Sequence, residues 1–280
     1  MLLLKRQKAL MLVLEEMKSR GISSRTFLEK ALFLMKYEEF IGEMIKFYSF
    51  YPHKFGPFSS LSYDDMSRLE QNGYLKGTTV TETGRKASSD LKHLLAPKIK
   101  NVVGRFASKD RIVKYVYQKY PEYSVKSQLL PQKPKEAQKG ICSIGYQGRD
   151  IDEFLNVLIK NGVTLLIDIR YNPFSMNPSF TRVNLERKLK DAGIGYIHME
   201  TLGIEGKLRK NLATKEDYAS LFRNYKEKIR KGRMAELEEI AVLGSEKKVA
   251  ILCFEHDGTM CHRSVVSAEL ERKNVPVTNL

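Results

Sequence analysis

VTLLIDIR, residues 163–170, is almost wholly apolar, yet it holds an aspartate and ends in an arginine. A run of this kind is expected of a strand buried on both faces in a parallel sheet. Asp168 inside it must be paired or hydrogen-bonded. Arg170, two positions on along the same face, is the obvious partner. The pattern around it repeats outward. ICSIGY (141–146) reads as a buried strand. DIDEFLNVLIKNG (150–162) reads as a helix with Phe154, Leu155, Leu158 and Ile159 on one face and Gly162 as its stop. After the loop YNPFSMNPSF come a helix over 184–192 and a strand over 195–199. A Gly-rich loop, LGIEGK, is followed by helices over 218–231 and 234–243. KKVAILCF (247–254) is a fourth strand, HRSVVSAELERK a helix and VPVTNL a last strand. This alternation predicts a three-layer α/β domain with a mostly parallel sheet over residues 140–280.

Ligands of such sheets bind at the carboxyl ends of the strands. Polar side chains fall there one group after another. Tyr146, Gln147, Gly148 and Arg149 follow the first strand, and Asp168, Arg170, Asn172 and Ser175 the second. His198 and Glu200 follow the third. Cys253, Glu255, His256, Asp257, Cys261, His262 and Arg263 follow the fourth.

The last group, CFEHDGTMCHRS (253–264), supports four readings. Cys253, His256, Cys261 and His262 have zinc-ligand side chains, but no tight Cys-x-x-Cys knuckle, and no metal or other cofactor is assigned. The start of the helix at 261–264 suits a phosphate or carboxylate, with Arg263 adding donors and Arg170 approaching from the second strand. A cysteine at an electropositive helix start can act as a nucleophile, and Glu255 with His198 or His262 can exchange protons. Strand, Cys, loop, Arg and helix resemble rhodaneses and cysteine phosphatases, but those have five residues between Cys and Arg where Cys253 and Arg263 have nine. Finally, Cys253 can be a small core residue, as Cys142 is. The candidates for catalysis are Glu255, His262, Cys261, Asp168 and His198. Those for binding a nucleotide or phosphate are Tyr146, Arg170, Ser175 and Arg263.

The motifs occur in a recognisable order. SIGY at 143–146 with Phe154 comes first. Asp168, Ile169 and Arg170 with Pro173 and Ser175 follow. Next is Tyr196 with His198, Leu202 and Gly203. Leu252, Cys253, Phe254 and Glu255 with Cys261, His262 and Arg263 come last. Together they resemble the DUF488 family, a domain of unknown function, over about residues 140–280. The resemblance implies the fold and a shared polar site and supplies no reaction.

The first half is different in charge and pattern. The chain carries +15 overall. Residues 1–139 hold 26 Lys and Arg against 14 Asp and Glu, leaving +12 there and +3 in the remainder. A localised basic surface suggests a polyanion, most often nucleic acid and DNA before RNA. The alternative is a lysine-rich solvated surface. The pattern predicts a helix over 3–20 ended by Gly21, a second capped by Ser23 or Ser24, and a third carrying Phe40, Ile41, Met44, Ile45 and Tyr48. Gly56-Pro57 predicts a turn. A helix follows from Ser59 or Ser60 to Asn72-Gly73, then a two-stranded ribbon about Lys76-Gly77 and another helix.

Helix, LEQNGYL, ribbon, T-x-x-G-R, helix resembles winged-helix domains over about residues 25–95. That resemblance implies a recognition helix at 60–71 and a wing about Lys76, although Asp64, Asp65 and Glu70 suit phosphate poorly. Residues 96–139 read as a basic helical connector, whose tyrosines either stack on bases or pack on the first domain. Its LPQKPKEAQK end (130–139) reads as a linker. The candidate nucleic-acid contacts are Arg68, Lys76, Arg85, Lys86, Lys98, Lys100, Arg105 and Arg111.

The expected function is therefore that of a nucleic-acid-associated protein with a polar pocket that binds a phosphate or nucleotide and holds candidate catalytic residues. The alternatives are a ligand-sensing DNA-binding regulator without turnover, or a protein-interaction module of antitoxin type. Three cysteines in 280 residues argue against a disulfide framework and suit a reducing, cytoplasmic setting. No run of 18 apolar residues is present, so no membrane span is expected.

Overall fold

The apolar run from Ala9 to Leu14 is buried, together with Met17, in α1 (Lys5–Ser19). Gly21, at φ +70°, turns the chain out of this helix. α2 (Arg25–Tyr37) starts at Ser24, whose hydroxyl accepts the Phe27 amide at 3.3 Å. A hairpin of β1 (Tyr51–His53) and β2 (Gly56–Phe58) leads into α3 (Ser60–Gln71), capped by Ser59. β3 (Leu75–Lys76) and β4 (Thr79–Val80) form the short ribbon, turned by Gly77 at φ +61°. α4 (Glu82–Ser88), α5 (Lys92–Gly104) and α6 (Lys109–Lys119) follow. The computed structural model describes residues 3–129, 138–209, 214–257 and 261–280. The chain divides into two units, residues 1–133 and 134–280. Most of the expected linker therefore lies outside the described residues.

Three expectations about the first unit change. The helix expected around 40–48 is a single short turn, Ile41–Glu43. Phe40 takes the left-handed φ of 52°, which breaks helical geometry before that turn. Ile45, Phe47, Tyr48 and Phe50 then reach the core from non-helical chain, while Phe40 stays exposed. Gly56-Pro57 is not a turn but lies in β2, with Pro57 opposite Pro52. Residues 96–129 do not stand apart as a connector. Ile99, Val102, Val103, Ile112 and Val116 share one core with α1 and α2.

The tyrosines of that region are packed. Tyr115 and Tyr120 donate to Glu38, the Tyr117 hydroxyl pairs with Ser127, and that of Tyr123 with Tyr37. Burial pushes the Glu38 carboxyl up, but hydrogen bonds from Lys119, Arg105 and Tyr115 outweigh it and hold it down at about 2. The acids of α3 are also engaged. Asp65 is buried and accepts from Arg6 at 2.7 Å, Gln7 at 2.8 Å and Tyr48 at 3.1 Å. Glu70 accepts the Gly77 amide of the ribbon.

The second unit is the expected three-layer α/β domain. Its elements are β5 (Gly140–Gly145), α7 (Ile151–Lys160), β6 (Leu165–Asp168), α8 (Arg182–Asp191), β7 (Gly195–His198), α9 (Lys215–Gly232), α10 (Met234–Glu246), β8 (Lys248–Cys253), α11 (Arg263–Glu271) and β9 (Val277–Asn279). The five strands are all parallel, in the order β7-β6-β8-β5-β9. α10 packs on β5 and β8, and α11 on β8 and β9. Ile141, Leu165, Ile167, Val249 and Ile251 meet α9–α11 in one core. Alternation puts Ile144, Leu166, Leu252 and Asp168 on the other face.

After β6 the chain goes to one side of the sheet, to β7, and after β8 it goes to the other, to β9. The carboxyl ends of the adjacent strands β6 and β8 therefore bound a topological switch point, where sheets of this kind open a crevice. No helix among the described residues is long and apolar enough to cross a membrane.

Candidate functional site at the carboxyl edge of the sheet

Two groups of side chains meet at this switch point. The first is built on β6. Arg170 donates to both carboxylate oxygens of Asp168, at 2.8 and 2.5 Å, and to the Tyr146 hydroxyl and the Phe180 carbonyl, each at 3.0 Å. Both charges are buried. Tyr196, across the strand pair on β7, donates to Asp168 at 2.8 Å. Burial and the adjacent Asp168 carboxylate push its hydroxyl up, so it stays a donor. His198 lies directly opposite Asp168 in the sheet, and its Nε2 meets the Arg170 carbonyl at 2.8 Å. A carbonyl only accepts, so this nitrogen carries the proton. Tyr146 stacks on Phe180 at 4.2 Å between ring centres.

The second group is built on the end of β8 and the start of α11. Cys253, Cys261 and His262 are each about 1 % exposed, and Glu255 is half-buried. The Cys253 thiol lies 3.1 Å from Glu255 Oε2 and 3.4 Å from His262 Nδ1. Cys261 Sγ lies 3.8 Å from the same nitrogen. One atom from each of the four residues falls within 4.8 Å of all the others. His262 Nε2 faces the Ile169 carbonyl at 3.2 Å, which ties this group to the end of β6. Burial raises the Cys253 thiol, but its interactions with Cys261 and His262 outweigh it and bring it down to about 6. Cys261 moves the other way, pushed up by burial and by Cys253.

Arg263 holds the chain just after β8. It is buried and donates to the Glu255 carbonyl at 2.6 Å and the His256 carbonyl at 2.8 Å. Gly145 makes room for the same loop, since a Cβ there would fall 1.8 Å from the Glu255 carbonyl oxygen. Gln147 holds it from the β5 side, through its amide to the Phe254 carbonyl and its side chain to the His256 amide.

The structure thus gathers Tyr146, Asp168, Arg170 and His198 into one network and Glu255, Cys261 and His262 into another. Ser175 joins neither. Its hydroxyl accepts the Asn177 amide within its own loop. His256, expected beside the cysteines, is exposed and meets Arg149 at 3.5 Å, while Glu255 takes its place. Cys253, whose strand position suggested mere filling, is central to the second group. The spacing of Cys253 and Glu255, two apart in extended chain, was the signal for their meeting. The guanidinium groups of Arg170 and Arg263 are both directed at partners inside the protein.

Among the basic candidates of the first unit, Lys86 pairs with Glu82, Lys98 with Glu39 and Arg105 with Glu38. Arg85 donates to the Val80 carbonyl. Arg68, Lys76, Lys100 and Arg111 are exposed and form no ion pair among the described residues.

No curated protein and no solved structure is significantly similar to this chain. A family model does match, over residues 150–270, and its description is "Domain of unknown function DUF488". The matched stretch holds three of the four ordered motifs and the strands β6, β7 and β8, while SIGY at 143–146, β5 and β9 lie outside it.

Proposed function

We propose that this protein associates with nucleic acid through its first unit, and that the α/β unit offers a phosphate-bearing ligand a binding or reaction site at the carboxyl edge of its sheet. The observation that carries this reading is the set of exposed cations that have no acidic partner among the described residues. Arg68 lies near the end of α3 and Lys76 on the ribbon just after it, while Lys100 and Arg111 lie on α5 and α6. The order of α3, ribbon and α4 resembles that of a winged helix, and the inward-facing Asp65 removes one carboxylate from the surface of α3. Phosphate contacts by such cations supply affinity without sequence preference.

The test is fluorescence anisotropy with short labelled duplex DNA and RNA at two salt concentrations. Binding is expected to weaken steeply with salt. The double charge reversal Arg68→Glu with Lys76→Glu should weaken it about 10-fold or more at the lower salt and flatten the salt dependence. Tight binding that ignores both salt and the double variant would remove the first unit from the account.

A further inference from the structure

The cluster of Cys253, Glu255, Cys261 and His262 lies in the α/β unit, apart in sequence from the cations to which nucleic-acid binding is assigned above. We propose that these four residues bind a zinc ion, with the two sulfurs, His262 Nδ1 and a Glu255 carboxylate oxygen as its ligands.

Geometry is the first support. Zinc bonds of about 2.3 Å to sulfur and about 2.0–2.2 Å to nitrogen and oxygen, arranged as a tetrahedron, separate the ligand atoms by roughly 3.5–3.8 Å. Three of the six separations are 3.1, 3.4 and 3.8 Å and the others are no more than 4.8 Å, so a metal needs only modest side-chain shifts. The second support is the histidine. The Ile169 carbonyl can only accept, so His262 Nε2 is the protonated nitrogen and Nδ1 turns a lone pair toward the thiols. Metal-binding histidines are oriented in this way by a backbone or carboxylate acceptor.

The third support is charge. Arg263 is a buried guanidinium with two backbone carbonyls as partners, and its Nε is buried without a hydrogen bond. No carboxylate pairs with it among the described residues. A buried cation of this kind is costly without a counter-charge. Two thiolates and one carboxylate around Zn²⁺ leave one surplus negative charge beside it in sequence. Binding breaks only S–H bonds, whose protons pass to solvent, and involves no change of oxidation state.

A bare dithiol would favour other outcomes. Two thiols this close can oxidise to a disulfide, and a lone reactive thiolate needs access that a residue 1 % exposed lacks. Zinc accounts for the carboxylate and the imidazole as well as the sulfurs.

The experiment uses the full chain, purified without chelator, with its metals measured by mass spectrometry. About one zinc per chain is expected. The metal is then stripped under reducing conditions and Co²⁺ is titrated in, followed by Zn²⁺. Co²⁺ should give thiolate charge-transfer and tetrahedral d–d bands that saturate at one equivalent and vanish when Zn²⁺ is added. Cys253→Ser and Cys261→Ser should lose the bands, with circular dichroism reporting whether each is folded. Glu255→Gln, at a half-buried and nearly isosteric position, should weaken Co²⁺ binding about 10-fold or more. If folded wild-type chain gives no such bands, contains a Cys253–Cys261 disulfide, or carries a stoichiometric metal other than zinc, the assignment fails. None of these outcomes depends on nucleic-acid binding.

Discussion

At the scale of single residues, the structure is most constrained around Asp168. Its carboxylate is fully buried, gripped by Arg170 through two oxygens and by Tyr196 through one. Removing one charge from such a pair strands the other in a medium that solvates it poorly. Asp168→Asn keeps the shape and loses the charge, and should cost about 3–5 kcal/mol in urea denaturation. A loss below about 1 kcal/mol would show that water reaches Arg170. This pair was legible in VTLLIDIR, because an acid in an unbroken apolar run has few ways to be satisfied and the next residue on its face is an arginine. The partners Tyr146 and Tyr196 were less so. They come from other strands, and only the sheet brings them within hydrogen-bonding distance.

Elements whose boundaries depend on local chemistry followed the sequence closely. Ser24, Ser59 and Asp150 cap the helices that they precede, because each offers an oxygen to amides that the first turn leaves unpaired. Thr81 does more, and ties the start of α4 to the chain just beyond α3. Its hydroxyl accepts the Gly84 amide at 3.1 Å as the cap of α4 and donates to the Gly73 carbonyl at 2.8 Å, just beyond α3. Thr81→Ala should therefore cost about 0.5–2 kcal/mol, and Thr81→Ser should recover most of it, by chemical denaturation. Equal losses in both variants would point to the methyl group, not the hydroxyl. The segment 40–48 shows where element-level reading stops. Its apolar residues recur at helical spacing, yet Phe40 turns left-handed and the following side chains fill the core without a helix. Burial in the shared core outweighed a short helix that would have been marginal by itself.

For the molecule as a whole, the two units have separate cores. The core of residues 1–133 gathers α1, α2, α5 and α6, and that of the α/β unit lies on the sheet. Ile251, at the centre of β8, is fully buried. Ile251→Ala should cost the α/β unit about 2–5 kcal/mol and lower only one of two calorimetric transitions. Movement of both transitions together would mean that the units unfold as one.

The sequence alone determined the α/β class, the order of strands and helices along the chain, the Asp168–Arg170 pair and the concentration of basic residues in the first half. These rest on periodicity, turn residues and composition, which are local or additive. The tertiary structure decided the strand order, and with it the switch point between β6 and β8. It exchanged His256 for Glu255 beside the cysteines, turned Arg170 and Arg263 inward, and absorbed α5 and α6 with their tyrosines into the first core. Each of these outcomes is a contact between residues far apart in the chain or across a loop. Such contacts are set by which surfaces bury together, and no spacing within one segment encodes them.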